Sequence, residues 1–277
     1  MSDINPNDDY YNMSGKDIEK RIDEINKLYS KIKGYNTQIG IHYMSKISGR
    51  IADDEMVKIR NSVGFRAGAI RTHLITLVRM HNRHNNIIKE SEEDPAIYFD
   101  VLARRQFAIF DSIIFHSCSL LEYVGYLMRF ICTSGDQQKK GWMDVIGSFR
   151  DTDTNLSDCI ASPIALHYNS QWIEKLFEYR ANLIHYRAEV GGSHITADFE
   201  KMDYVLKTYT PSRLVRMIHP ISEKSNGEKV PLLYTSFWLP ENAFSVVIDI
   251  LKNIRQVVEY NIKKPKVTRP IKGLPGD

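Results

Sequence analysis

Cysteine is scarce in this sequence, and its arrangement excludes two kinds of protein. The three cysteines, Cys118, Cys132 and Cys159, include no CxxC pair. An odd number at wide spacing argues against a disulfide framework and against a zinc ribbon. We therefore expect buried thiols and a reducing compartment, which predicts a cytoplasmic protein.

A secretory signal and an uncharged membrane span are also missing. The opening residues, MSDINPNDDYYNMSG, contain neither a basic start nor an apolar run. The most apolar segment, residues 107 to 132, contains Asp111, His116, Glu122 and Arg129, whose side chains would be costly in lipid. This segment predicts a buried core helix, and we expect no membrane partner.

Charge of one sign is not in excess, and common catalytic motifs do not occur. The formal net charge is +3 at pH 7, so no overall basic field indicates nucleic-acid binding. The sequence has no glycine-rich phosphate loop, no GxSxG elbow and no HExxH zinc motif. These absences argue against nucleotide-hydrolysing enzymes and serine hydrolases.

Helical periodicity is present over most of the chain. Of the 277 residues, 43% are hydrophobic, which is sufficient for a genuine core. Apolar residues recur at helical spacing in residues 16–34, 53–90, 96–131, 142–149 and 171–187, and again from Pro240 onward. The pattern predicts a mainly α-helical bundle in which residues 96–131 form the central helix.

Extended structure is predicted in one region, at about residues 204–239. Segments rich in β-branched and aromatic residues flank the turn SEKSNGE there, which is typical of a small antiparallel β-hairpin. The expected organisation is a disordered tail at 1–15, an N-terminal helical region at 16–92 packing on the bundle, a helical domain at 95–263 that carries the hairpin before its last helix, and a loose tail at 264–277.

The segment EKLFEYRANLIHYRAEVGG places an arginine within an apolar helical stripe. On a helical wheel, the neighbours within about 60° of Arg180 are apolar: Ile173, Leu176, Phe177, Leu183 and Ile184. A guanidinium cannot be neutralised, so it requires a carboxylate, a phosphate or solvent. Arg180 is therefore the candidate functional residue of this helix.

The next titratable group on this helix, His185, follows five positions later, about 140° around the wheel. One helix cannot aim both side chains at one point, whereas two copies packed across a twofold axis can. The run RANLIH, Arg180 to His185, resembles the R-x4-6-H signature of the HEPN superfamily. These all-helical domains are typically dimeric and are often metal-independent ribonucleases, and the resemblance covers roughly residues 96–263.

The resemblance implies that Arg180 and His185 are catalytic. Helical spacing adds Asn182 and Tyr186, four positions apart on one side, as residues to orient His185 or bind ribose, and Arg187, on the face of Arg180, as a second phosphate contact. RNA would be cleaved by attack of a ribose 2′-hydroxyl on the adjacent phosphate, with no metal and no cofactor. The implied partners are RNA, a second copy of the chain, and an antitoxin or other regulatory protein. The implied role is that of a toxin or an antiviral defence effector.

One feature departs from the nuclease members of the family. The residue after the arginine is commonly asparagine in those members, whereas here it is Ala181, with Asn182 following. The alternative is a non-catalytic HEPN module that binds RNA, a nucleotide or a protein partner. Fold alone does not decide between them.

Other arginine–histidine pairs occur at similar spacing, namely Arg79–His84, Arg213–His219 and Arg66–His73. Arg79 points about 140° away from the apolar stripe of its own helix, and this orientation favours Arg180. A structural alternative for Arg180 is a buried ion pair with Glu122 or Asp111. For His185, the alternative is contact with carbonyl groups at a helix C-terminus.

A basic face precedes the central helix. Its residues are Lys58, Arg60, Arg71, Arg79 and Arg83. Such a face could guide an RNA backbone by charge alone. Zinc binding by His73, His81 and His84 is the weaker interpretation, since no cysteine or carboxylate completes a site at helical spacing.

Overall fold

The computed structural model describes residues 15–45, 54–90, 95–132, 141–151, 159–185, 191–198, 203–221 and 229–260. Within these residues the protein is mainly helical and contains one two-stranded antiparallel sheet. The predicted fold class is confirmed at that level. The predicted tails at 1–15 and 264–277 lie outside the described residues, apart from Gly15.

The helices follow one another along the chain, and the periodicity predicts all of them except two short ones, Ser162–Tyr168 and Ser212–Met217, the second of which lies in a segment predicted to be extended. They are α1 (Gly15–Tyr43), α2 (Asp54–Glu90), α3 (Pro95–Cys132), α4 (Trp142–Arg150), α5 (Ser162–Tyr168), α6 (Glu174–His185), α7 (Ser212–Met217) and α8 (Leu232–Tyr260). A π-helical turn, Asn169–Ile173, joins α5 to α6. The helix that carries the RANLIH motif thus continues a helical path that starts at Ser162.

Helix α1 is longer than predicted. Its buried face repeats every seven residues, at Ile18, Ile25, Ile32 and Ile39, each at most 3% exposed. This spacing keeps the four side chains on one face of a helix. The face extends beyond Gly34, so the predicted end at that glycine is wrong: burial of Ile39 and Tyr43 outweighs the helix-breaking tendency of one glycine.

Helix α3 is the central apolar helix of the prediction. Phe110, Ile114, Leu121 and Val124 are fully buried along it. By length and composition the stretch Ile97–Cys132 could cross a membrane, and 50% of its most apolar window is buried within the protein. Core helices of soluble proteins share this composition.

The chain forms two compact units. Unit 1 consists of Met1–Asn26, Ala69–Phe115 and Lys175–Pro240, and unit 2 consists of Lys27–Gly68, His116–Glu174 and Glu241–Asp277. Each unit draws residues from both sides of the boundary that the sequence predicts between residues 92 and 95.

The sheet lies earlier in the chain than predicted. Strand β1 (Ser193–Asp198) pairs with β2 (Asp203–Thr208), with Ser193 opposite Thr208. The first half of the predicted hairpin at 204–239 therefore overlaps β2, but the second half is wrong, because α8 begins at Leu232 and contains Pro240. Leu232 and Phe237 are at most 1% exposed, and an apolar run buried on all sides does not distinguish strand from helix. The predicted turn, residues 222–228, lies outside the described residues.

In unit 1 the sheet is attached to α3 by a buried hydrogen bond. The hydroxyl of Thr208 donates to Oε1 of Gln106 at 2.8 Å. Just before β1, Gly191 has no room for a side chain, because a Cβ atom would meet the carbonyl oxygen of Tyr209 and the ring of Phe107. These contacts fix the position of the chain after the motif helix.

The cysteine prediction is wrong for two of the three residues. Cys132, the last residue of α3, forms a disulfide with Cys159, whereas Cys118 is a buried thiol. The two partners stand 27 residues apart, and their pairing depends on how α3 ends, which the spacing of cysteines does not reveal. The cysteine argument for a reducing compartment therefore fails, and the cytoplasmic location stays a prediction.

Candidate functional site

Arg180 lies at the edge of the apolar core in unit 1. On α6, Leu176 and Tyr179 are at most 1% exposed, whereas Ile184 is 54% exposed and Arg180 is half-buried. The buried stripe is thus centred on Leu176 and Tyr179. Arg180 stands at the border of this stripe, not at its centre, and part of its side chain stays accessible to solvent.

The guanidinium of Arg180 is placed over an aromatic ring of α3. Its Cζ atom lies 5.7 Å from the ring centroid of Phe115, within the range of a cation–π interaction. The Nε atom is buried. Solvent access and this ring contact together make a permanent charge tolerable at the border of the buried stripe.

A carboxylate with unusual chemistry stands one turn away on α3. Burial raises the pKa of Asp111 from 3.8 to about 6, and Asp111 precedes Phe115 by one helical turn, on the same face. A guanidinium in direct contact would lower this pKa, so the raised value argues against the structural alternative of an Asp111–Arg180 ion pair. An acid of this pKa can gain or lose a proton near neutral pH.

Glu122, the other alternative partner named for Arg180, makes a hydrogen bond within its own unit. Glu122 belongs to unit 2, where its Oε2 accepts a hydrogen bond at 2.8 Å from the backbone N–H of Trp142. This carboxylate therefore serves the first residue of α4.

The structure describes the remaining predicted site residues only in part. His185 is the last residue of α6, its side chain is outside the described part of the chain, and Tyr186 and Arg187 lie outside it entirely. Asn182 donates from Nδ2 to the carbonyl oxygen of Glu178 at 2.8 Å. Asn182 also leaves the helix about 160° away from Arg180, so these two side chains do not converge from one copy of α6.

A contact between an arginine and a histidine does occur in unit 2, between residues that the sequence analysis did not pair. Nη1 of Arg66 on α2 lies 3.0 Å from Nδ1 of His116 on α3. The guanidinium also lies over the rings of Phe65, at 5.5 Å, and Tyr123, at 6.0 Å. The available signal was His116, a polar residue in the apolar run of α3, but its partner is 50 residues away in sequence.

The predicted basic face is only partly available for ligands. Arg79 and Lys58 are exposed, but Nε of Arg71 donates to Oδ1 of Asn26 at 2.5 Å. Among the described side chains no group of three His, Cys, Asp or Glu residues could hold a metal ion. The side chains of Arg83 and His84 lie outside the described part.

Comparison of the chain with protein-family models, with curated proteins and with solved structures gives no match.

Proposed function

We propose that this protein is a metal-independent endoribonuclease of the HEPN type, with Arg180 and His185 at the reaction centre. The observation that carries the proposal is the position of Arg180, a guanidinium at the edge of the core, over the ring of Phe115, on the helix that ends at His185. A permanent cation there favours an anionic ligand. A phosphodiester is an anion that an adjacent histidine can help to cleave.

The geometry of α6 supports a site made by two copies of the chain. The helix is regular from Glu174 to His185, so the side chains of Arg180 and His185 leave it about 140° apart. A twofold axis would bring the arginine of one copy to the histidine of the other. We therefore include a homodimer in the proposal.

The proposed reaction is an internal transesterification. The ribose 2′-oxygen attacks the adjacent phosphorus and gives up its proton, the bond from phosphorus to the 5′-oxygen breaks, and the 5′-oxygen takes up a proton. His185 accepts or returns a proton, since an imidazole exchanges protons near neutral pH. Arg180 binds the non-bridging phosphate oxygens, whose negative charge grows in the transition state. The products are a 2′,3′-cyclic phosphate and a 5′-hydroxyl.

The first experiment incubates total RNA with the protein in EDTA and resolves the products on a gel. We expect cleavage by the wild type and a loss of about 10²–10³-fold in rate for Arg180→Ala, as for removal of one transition-state donor, with a comparable loss for His185→Ala. Two exposed residues supply matched controls, Arg104→Ala and His194→Ala. Absence of cleavage, or cleavage unchanged in both site variants, would refute the proposal.

The second experiment tests whether the site is shared between copies. In a dimer of one Arg180→Ala chain and one His185→Ala chain, one composite site is intact and the other lacks both groups. Random mixing of the two inactive variants should therefore restore about a quarter of the wild-type activity. A site contained within one chain would give no recovery.

The alternative function is a non-catalytic HEPN module. It is favoured by Ala181, which is exposed on α6 beside the arginine where nuclease members commonly carry a polar residue. RNA that binds to the protein but is not cut would support this alternative. In the catalytic case, a toxin or defence role predicts that expression of the wild type arrests growth whereas His185→Ala does not, and that an antitoxin or other regulatory protein relieves the arrest.

A further inference from the structure

Unit 2 contains a pocket that the proposed nuclease site does not use. It has a volume of 410 Å³, within the range of about 300–1,000 Å³ typical of small-molecule sites. Its described lining residues are Glu55, Lys58, Ile59, Ser62, Glu122, Tyr123, Tyr126 and Gly141. The first four come from one face of α2, and the next three come from α3.

Two carboxylates of this pocket are held in place by hydrogen bonds from its own walls. The hydroxyl of Tyr126 donates to Oε1 of Glu55 at 2.6 Å, and the backbone N–H of Trp142 donates to Oε2 of Glu122 at 2.8 Å. The Glu55 side chain is only 16% exposed. Such bonds orient acceptor groups before a ligand arrives.

The rest of the lining is aromatic and aliphatic. Tyr123 and Tyr126 present rings, and Ile59 presents an apolar side chain. Aromatic faces attract cations; the guanidinium of Arg66, which lies 6.0 Å from the ring centroid of Tyr123 and 3.0 Å from Nδ1 of His116, is not among the described lining residues. The walls thus suit methylene groups next to a positive charge.

The charge balance favours a cation as the occupant. The described lining contains two carboxylates and one ammonium group, that of Lys58. Nζ of Lys58 lies 4.0 Å from Oε2 of Glu55 at the limit of an ion pair, and its side chain is 72% exposed. An exposed lysine in so long an ion pair can be displaced at little cost, whereas an anion would have to approach two carboxylates held by hydrogen bonds.

We propose that this pocket binds a small organic cation, an ammonium or guanidinium group on a short aliphatic chain. The charged group would lie between Glu55 and Glu122, and the chain would pack against Ile59 and the tyrosine rings. This inference is independent of the ribonuclease proposal, because the described lining of the pocket includes neither Arg180 nor any other residue of the proposed reaction centre.

The test titrates the full-length protein with agmatine, and separately with putrescine, by calorimetry and by tryptophan fluorescence, because Trp142, whose backbone N–H donates to Glu122, follows the lining residue Gly141. We expect saturable binding, weakened about tenfold or more by Glu55→Gln and by Glu122→Gln. Glutamine keeps an acceptor oxygen for Tyr126 and for Trp142, so these variants should fold, and thermal melting checks this. Glu24→Gln, at an exposed position of α1, is the control, because it removes one negative charge outside the pocket and should leave binding unchanged.

Two further titrations determine the sign of the ligand's charge and whether the ligand is a free amine or a side chain of a partner protein. Lys58→Met should tighten agmatine binding about threefold, because it removes a competing cation. A blocked arginine amide that binds as tightly as agmatine would assign the site to an arginine side chain of a partner, whereas binding of agmatine alone assigns it to a free amine. The proposal is overturned if neither agmatine nor putrescine binds, or if the uncharged 1,4-butanediol binds equally well. It is also overturned if Ca²⁺ alone displaces agmatine, which would indicate a metal site. Binding of AMP that is weakened by Lys58→Met would indicate an anion site and would overturn it as well.

Discussion

Nη1 of Arg66 lies 3.0 Å from Nδ1 of His116. A guanidinium only donates hydrogen bonds, so Nδ1 is the acceptor and the neutral imidazole carries its proton on Nε2. The ring of His116 also meets that of Phe65 edge-on, with centroids 6.3 Å apart. Arg66 and His116 therefore form a hydrogen-bonded pair that links α2 to α3.

The first prediction concerns the strength of this bridge. A double-mutant cycle of Arg66→Met and His116→Phe should give a coupling energy of about 1–2 kcal/mol in the free energy of unfolding, as for a hydrogen bond with one charged partner. Nitrogen NMR of His116 should show the Nε2–H tautomer, and an Nδ1–H tautomer would contradict the assignment.

The second prediction concerns the buried carboxyl of Asp111. Its pKa is about 6 in the folded protein and close to 3.9 in an unfolded chain, so folding favours the protonated form. The contribution of protonated Asp111 to the free energy of unfolding is fully present below about pH 4. It is lost as the pH rises through 6 and the carboxyl group ionises. Asp111→Asn should therefore exceed the wild type in free energy of unfolding at pH 7–8 by more than at pH 4.

Urea unfolding from pH 4 to pH 8 measures this difference, with Asp100→Asn as the control. Asp100 is exposed and forms a 2.9 Å ion pair with Arg104, so its removal should cost about 0.5 kcal/mol at neutral pH. The two variants thus move stability in opposite directions at pH 7. A loss of stability in Asp111→Asn at every pH would mean that the ionised carboxylate is satisfied by its surroundings.

The third prediction concerns the disulfide between Cys132 and Cys159. In the chain-entropy description, a cross-link over 27 residues contributes about 3–4 kcal/mol to the free energy of unfolding. Replacing both cysteines by serine should lower the free energy of unfolding by up to that amount and make the melting temperature insensitive to dithiothreitol. If reductant changes the double variant as much as the wild type, the stabilising link lies elsewhere.

The fourth prediction compares two glycines. A Cβ at residue 191 would meet the carbonyl oxygen of Tyr209 and the ring of Phe107, whereas a Cβ at residue 147, within α4, meets nothing within 4 Å. Gly191→Ala should lower the free energy of unfolding by about 1–3 kcal/mol, and Gly147→Ala should raise it by about 0.5–1 kcal/mol. Chemical denaturation of the two variants measures both effects, and equal effects would contradict the close approach at Gly191.

The spacing of apolar residues predicted where most helices lie, because a helix that buries one face needs apolar residues at that spacing. The bounds of α2 and α3 agree with the predicted segments within a residue or two, whereas the last helix starts eight residues before the predicted Pro240. That region is apolar on every side, and periodicity carries no information where all faces are buried. The predicted hairpin failed in the same region for the same reason.

The candidate sites show a different limit of sequence reasoning. Arg180 was identifiable because a charge within an apolar stripe is unusual on one helix, and its contact with Phe115 accounts for that charge. The Arg66–His116 contact and the pocket near Glu55 and Glu122 depend on which faces of α2 and α3 meet. Pairings between residues 50 or more positions apart require tertiary information that one sequence does not contain.

The carboxylate of Glu122 belongs at once to the pocket and to the N-terminus of α4. It accepts the N–H of Trp142, the first residue of that helix, and it occupies the space that a side chain at Gly141 would need. A ligand that draws this oxygen away from Trp142 must destabilise the first turn of α4. By thermodynamic reciprocity, a change that stabilises this turn must lower the affinity of the pocket for that ligand. Amide hydrogen exchange at Trp142 would then respond to pocket occupancy although the indole itself is sealed from solvent.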